Sequence, residues 1–135
     1  LQDPFVLVCH PNHPLARRQR VEWKRLNGEA LVLLDHSSGS RRLIDAILAE
    51  RCIDASVVQE TGHTHTAFRM VEAGLGSSIT VGLSAPRSTR LVTLPLVPRV
   101  RRAITLVRRR NRSLSPAAER VWTLLRDLAR QGPAG

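Results

Sequence analysis

Short apolar runs and amphipathic segments alternate along the chain. Continuous apolar runs such as residues 5–9 and 31–34 are typical of strands buried on both faces, whereas apolar residues at helical spacing predict helices. The pattern predicts strands at residues 5–9, 31–34, 56–60, 78–81, 91–94 and 103–107. Helices are predicted at about 43–52, at about 67–75 and from 116 onward, with one helical turn near 23–26. This alternation, with short connections, predicts an α/β fold with a mostly parallel sheet flanked by helices.

Cap residues mark the ends of the predicted helices. Gly74 and Gly76 are expected to end the second helix, because glycine readily adopts the left-handed conformation of a helix C-terminus. Ser115 is expected to cap the last helix, with Pro116 at its first position. The residues that this helix is predicted to bury are Val121, Leu124, Leu125 and Leu128. Residues 132–135 are predicted to form a disordered tail.

Polar loops follow two of the predicted strands and precede two of the predicted helices. Open α/β sheets bind ligands at the carboxyl ends of their strands, and the N–H groups of a helix start favour a carboxylate or a phosphate. These loops therefore carry the candidate binding residues, although the same side chains also suit helix capping. The candidates are Ser37, Ser38, Ser40, His63, Thr64 and Thr66.

The composition favours an anionic partner. The chain of 135 residues carries 21 basic and 11 acidic residues, a formal charge of +10, and Lys24 is its only lysine. With 42% hydrophobic residues it is able to bury a core as one domain. Cys9 and Cys52 are too few and too far apart for a disulfide framework, which favours reduced thiols in a cytoplasm. No apolar run reaches the roughly 18 residues of a membrane span, so no membrane partner is expected.

Catalytic and metal-binding motifs are not evident in the sequence. A zinc site needs three or four convergent ligands, and the pairs His10/His13 and His63/His65 have no cysteine at a suitable spacing. No serine lies in a G-x-S-x-G elbow, and no glycine-rich loop joins a lysine at phosphate-binding spacing. The chain is therefore expected not to be an enzyme and to need no cofactor.

Three segments carry a family resemblance. The sequence His13-Pro14-Leu15-Ala16 follows the first apolar run, Val71-Glu72-Ala73-Gly74-Leu75-Gly76 ends a helix, and Leu114-Ser115-Pro116-Ala117-Ala118-Glu119-Arg120 opens the last helix. In order and spacing they resemble the C-terminal effector-binding domain of LysR-type transcriptional regulators. The resemblance implies a fold like that of type 2 periplasmic binding proteins, in which two α/β lobes enclose a small effector.

The resemblance also implies a division of the chain. Residues 1–10 are expected to form a crossover strand from lobe one, and 11–101 the effector-binding lobe two. Residues 102–131 are expected to form the return crossover and the C-terminal helix of lobe one. The chain is then a fragment without the N-terminal winged helix-turn-helix, so DNA is contacted only through that missing domain. The effector is expected to be a carboxylate, and the full-length protein a homo-oligomer, as a dimer or a tetramer.

Two alternatives remain open from the residues. The first is a basic nucleic-acid-binding module built on Arg17, Arg18, Arg20, Lys24 and Arg25, or on the arginines of 108–112, although no stacking aromatic residues interleave with them. The second is a solute-binding protein of the periplasmic type. If the chain binds an effector, Arg41 or Arg42, next to the serine loop, is a further candidate to bind its carboxylate bidentately.

Overall fold

Seven strands and three α-helices alternate in the computed structural model, which describes residues 1–110 and 113–131. The strands are β1 (Gln2–Cys9), β2 (Val21–Glu22), β3 (Ala30–Leu34), β4 (Ser56–Thr61), β5 (Ser78–Val81), β6 (Val92–Val97) and β7 (Arg101–Ala103). The helices are α1 (Gly39–Glu50), α2 (Thr64–Glu72) and α3 (Pro116–Gln131). Short 3-10 turns lie at Pro14–Arg17, Trp23–Leu26 and Gly82–Ser84. The predicted α/β class is confirmed.

The strands form one mixed arrangement around β1. The order β2-β6-β1-β5 is hydrogen-bonded, β7 pairs with the start of β1, and a parallel bridge from Leu31 to Ser77 brings β3 and β4 beside β5. β1 is antiparallel to β5, β6 and β7, whereas the β2–β6 and β3–β4 pairs are parallel. The other six strands therefore share one direction, but the central β1 runs against them, so three of the five strand pairs are antiparallel. The sequence pattern did not reveal this reversal.

Helices cover both faces of this sheet, as predicted. Phe5, Leu7 and Cys9 of β1 belong to one buried cluster, which also contains Ile44, Ile47 and Leu48 of α1. The intervening Val8 belongs to a second cluster, which contains Ala67, Phe68 and Val71 of α2. Alternate side chains of a strand point to opposite faces, so the apolar run of β1 supplies both halves of the core.

The two glycines after α2 have different roles. Gly74 has φ +81° and ends the helix in a Schellman motif, in which Gly74 N–H donates to Val71 O and Leu75 N–H donates to Met70 O. Gly76 does not end the helix. A Cβ at Gly76 would lie 2.5 Å from the carbonyl oxygen of Ala30, so this position needs glycine because two backbones pass closely.

Two predictions near the C-terminal end are wrong for this chain. The predicted strand 103–107 shortens to β7, beyond which two hydrogen bonds join Leu1 and Ile104: Ile104 N–H donates to Leu1 O, and the Leu1 amino group donates to Ile104 O. Ser115 caps α3 as predicted: its carbonyl oxygen accepts a hydrogen bond from the Glu119 N–H, and its hydroxyl oxygen accepts one from the Ala118 N–H. The apolar side chains predicted to be buried by α3 are instead exposed: Val121, Leu124, Leu125 and Leu128. The predicted disordered tail, 132–135, lies outside the described residues.

Candidate functional site

A cavity of about 200 Å³ lies where the carboxyl ends of β3 and β5 meet the N-termini of α1 and α2. Its walls combine hydroxyl groups with apolar side chains and two arginines. The lining residues are Leu34, Ser38, Ser40, Arg41, Ile44, Thr64, Ile79, Thr80, Val81, Ser84 and Arg102. The N-termini of α1 and α2 lie close to the ends of both strands because β3 and β5 are parallel, and the loops that follow parallel strands emerge at the same edge of the sheet.

Arg102 of β7 connects the cavity to β1. Its Nη1 donates to Ser40 Oγ at 3.0 Å, so the guanidinium reaches the first turn of α1. Its Nε and Nη2 lie 3.2 Å and 3.1 Å from Oδ2 of Asp3, whose residue is only 1% exposed. The other Asp3 oxygen accepts the Leu83 N–H at 3.0 Å. The arginine is thus held in place by a buried carboxylate while part of its surface still faces the cavity.

The N-terminus of α1 offers backbone donors to the cavity. Ser38 occupies the N-cap position, and its hydroxyl makes no capping hydrogen bond. Asp35 instead accepts hydrogen bonds from the N–H and hydroxyl of Ser37, and these bonds lower the pKa of the Asp35 carboxyl. The first N–H groups of a helix have no partner within the helix, and they carry the positive end of its dipole. With Ser38 and Ser40 in the cavity wall, this end of α1 favours an anion there.

Arg41 lines the cavity, but its guanidinium already has partners within the chain. Its residue is 5% exposed, its Nε donates to Asp45 at 2.8 Å, its Nη2 lies 2.8 Å from Glu60, and its Nη1 donates to Leu34 O. Burial alone would lower the pKa of Arg41, but the hydrogen bonds to the two carboxylates outweigh it and raise the pKa. A guanidinium bound in this way anchors α1 to β3 and β4. The neighbouring Arg42 is exposed and does not line the cavity.

The structure brings together half of the sequence-predicted site residues. Ser38, Ser40 and Thr64 line the cavity, whereas three others do not. These are Ser37, whose hydroxyl donates to Asp35; His63, the exposed N-cap residue of α2; and Thr66, on the exposed face of α2. Sequence reasoning missed Thr80, Ser84 and Arg102. Thr80 lies near the carboxyl end of β5 and Ser84 in the turn that follows it, so hydroxyl residues at the end of a buried strand are a usable signal for the first two. Arg102 is distant in sequence from the side chains with which it forms hydrogen bonds.

In residues 1–110 and 113–131, no three His, Cys, Asp or Glu side chains are grouped so that they would hold a metal ion. None of the helices in the same ranges is long and apolar enough to cross a membrane.

Comparisons with known proteins identify relatives over most of the chain. A family model described as the LysR substrate binding domain matches residues 1–130. The chain is 50% identical over 129 residues to YfeR of Shigella flexneri, an HTH-type transcriptional regulator; the match covers 94% of this chain and 42% of YfeR. A second such regulator, YbhD of Escherichia coli K12, is 41% identical over 131 residues, which are 95% of this chain and 41% of YbhD. The chain therefore spans about two-fifths of the length of these relatives.

Solved structures show the same fold. The regulatory domain of CcmR from Synechocystis PCC6803, solved in complex with 2-PG, has a TM-score of 0.78 and 21% identity; the match covers 99% of this chain and 66% of CcmR's. The family model and the relatives together show that the chain belongs to the LysR substrate binding domain family.

Proposed function

We propose that this chain is the effector-sensing part of a transcriptional regulator and that a small carboxylate binds in the cavity beside Arg102. The observation that carries the proposal is the convergence of two helix N-termini, several hydroxyl groups and one anchored guanidinium on the same 200 Å³ space. Each of these groups favours an anion, and an arginine is able to bind a carboxylate through two parallel hydrogen bonds.

The character of related proteins supports this choice of ligand. The CcmR structure holds 2-PG, and the effector binding domain of QuiR, with a TM-score of 0.75 and 25% identity, was solved in complex with shikimate. Both ligands are small carboxylates. The relatives of this chain are named transcriptional regulators, which favours a binding role over a catalytic one. For the same reason we infer that DNA is bound by a separate part of the full-length protein.

The cavity is small for a complete ligand site, since such sites usually measure about 300–1,000 Å³. We infer that residues 11–101 form one lobe and that residues 1–10 and 102–131 belong to the connection with a second lobe, which supplies the other wall. The exposed apolar face of α3 supports this division, because it offers a surface for further chain to cover.

The network of Ser40, Arg102 and Asp3 suggests how binding is transmitted. Ser40 belongs to α1 of the lobe, whereas Asp3 and Arg102 belong to β1 and β7, the two strands that lead out of it. A carboxylate that binds Arg102 competes with Ser40 for the guanidinium. It therefore alters the link between the lobe and its connecting strands, and it favours one arrangement of the lobes by its differential affinity. In a homo-oligomeric regulator such a change repositions the DNA-binding parts.

Thermal unfolding in the presence of carboxylates tests the proposal. Shikimate, 2-phosphoglycolate and a panel of aromatic and aliphatic acids are added at millimolar concentration to this chain and to the full-length regulator. We expect at least one acid to raise the unfolding temperature, and Thr64→Ala to weaken its binding about tenfold, the loss of one or two hydrogen bonds. Thr66→Ala, two residues away on the exposed face of α2, is the matched control and is expected to bind normally. Equal losses in both variants, or no stabilisation by any acid, would contradict the proposal.

A further inference from the structure

A second concave surface, larger than the effector cavity, lies elsewhere on the molecule. It measures about 670 Å³ and is bounded by the turns before and after β2, the end of α1 and the end of β6. Its lining residues, which we call the basic groove, are Arg18, Arg20, Glu22, Trp23, Lys24, Arg25, Arg51, Val97 and Pro98. The basic groove shares no residue with the effector cavity. Arg51 follows the last residue of α1, about 18 Å along the helix from its first residue.

The charge of the basic groove is strongly positive. Five of its nine residues are cationic, and Glu22 is its single acid. Glu22 forms an ion pair with Lys24 at 3.0 Å, and the hydrogen bond from Lys24 lowers the pKa of the Glu22 carboxyl. The four arginines are exposed. The groove therefore presents several guanidinium groups that carry no carboxylate partner in the described part of the chain.

The aromatic ring beneath the groove is buried and offers little stacking surface. Trp23 is 1% exposed, its Nε1 donates to Pro98 O at 3.0 Å, and its ring meets Phe5 edge-on. Arg51 lies 6.0 Å from the centre of the same ring. Binding of single-stranded nucleic acid relies on exposed aromatic rings that stack with bases, whereas binding of a duplex backbone needs only positioned cations. The buried Trp23 thus favours the second mode.

We propose that the basic groove binds the phosphate backbone of duplex DNA without reading its sequence. Arginine suits this role because its planar guanidinium binds phosphate oxygens bidentately. The charge of +10 on the whole chain adds attraction at longer range, and the relatives of this chain are regulators that work on DNA. The inference is independent of the effector cavity, and it gives the regulator a DNA contact in addition to that of its helix-turn-helix part.

Binding of this chain to a fluorescein-labelled 20-base-pair duplex, followed by anisotropy from 50 to 200 mM NaCl, tests the inference. The variant R20E/R25E reverses two charges of the groove. The control R87E/R90E makes the same change of net charge at two exposed arginines outside it. We expect the groove variant to weaken binding about tenfold or more at 50 mM NaCl and to reduce the salt slope by about two, one for each lost phosphate contact. We expect the control to retain both values within about twofold.

Three outcomes would overturn the inference. Equal weakening in both variants would mean that net charge alone attracts the duplex. Unchanged binding in the groove variant would mean that the phosphates lie elsewhere. Tight binding of the chain to vesicles containing phosphatidylserine, without binding to the duplex, would assign the groove to a membrane surface. The thermal response to carboxylates, measured on the same R20E/R25E variant, is expected to stay normal, so failure of this inference is distinguishable from failure of the effector site.

Discussion

Replacing Arg102 by alanine removes one of the two hydrogen bonds that the Asp3 carboxylate accepts in the described residues, together with its ion pair to the guanidinium. The carboxylate is left buried, with only the Leu83 N–H as a donor. Breaking a fully buried ion pair costs about 3–5 kcal/mol, and the 29% exposure of the Arg102 side chain reduces this to about 2–3 kcal/mol. For a chain of this size the loss corresponds to a fall in unfolding temperature of roughly 6–15 °C. Urea unfolding followed by circular dichroism measures the free energy directly.

Two further variants distinguish the loss of the Asp3–Arg102 ion pair from the general effect of removing an arginine side chain from β7. Arg101→Ala, at an exposed position of the same strand, is expected to change the free energy of unfolding by less than about 0.5 kcal/mol. In the double variant D3N/R102A the uncompensated charge is gone, so we expect it to be more stable than R102A alone. A loss below about 1 kcal/mol in R102A, or a double variant no more stable than R102A, would refute the assigned role of this pair.

The remaining predictions concern packing and reactivity. Burial raises the pKa of the Cys9 thiol to about 11, so iodoacetamide at pH 8 is expected to alkylate the exposed Cys52 and to spare Cys9 until the chain unfolds, as read by mass spectrometry. Gly76→Ala is expected to cost about 2 kcal/mol or more in urea unfolding, whereas Gly39→Ala, with open space around its Cβ, is expected to be neutral or stabilising. Leu124→Gln on α3 is expected to change the stability of this chain by less than about 0.5 kcal/mol, and a cost above 1 kcal/mol would mean that its exposed face is covered.

The sequence allowed the elements around the site to be predicted because their signals are local. The apolar run of β1 indicates a strand buried on both faces, and Gly74 marks the end of α2. The direction of β1 was not predictable, since nothing local to residues 2–9 encodes its antiparallel pairing with β5 and β6. The predicted burial of the apolar face of α3 was wrong for another physical reason. An amphipathic pattern predicts which face of a helix is apolar, but not whether this chain contains the surface that covers it.

The candidate site was predictable to the extent that it consists of loops after parallel strands. Ser38, Ser40 and Thr64 follow from that rule, whereas Arg102 depends on contacts that span 62 residues to Ser40 and 99 residues to Asp3. The same limit applies to Arg41. Its position beside the serine loop made it a candidate to bind a carboxylate ligand, and only the fold reveals that its guanidinium already forms ion pairs with Asp45 and Glu60.

The most direct test of the effector site is a titration of the ¹⁵N-labelled chain with the best carboxylate, followed by amide chemical shifts. We predict that the largest shifts fall on the N–H groups of residues 38, 40, 41, 64, 79–81, 84 and 102, which line the cavity, and that they saturate together with one dissociation constant. Shifts confined to residues 18–25 and 51 would place the anion in the basic groove and would contradict the account of the cavity.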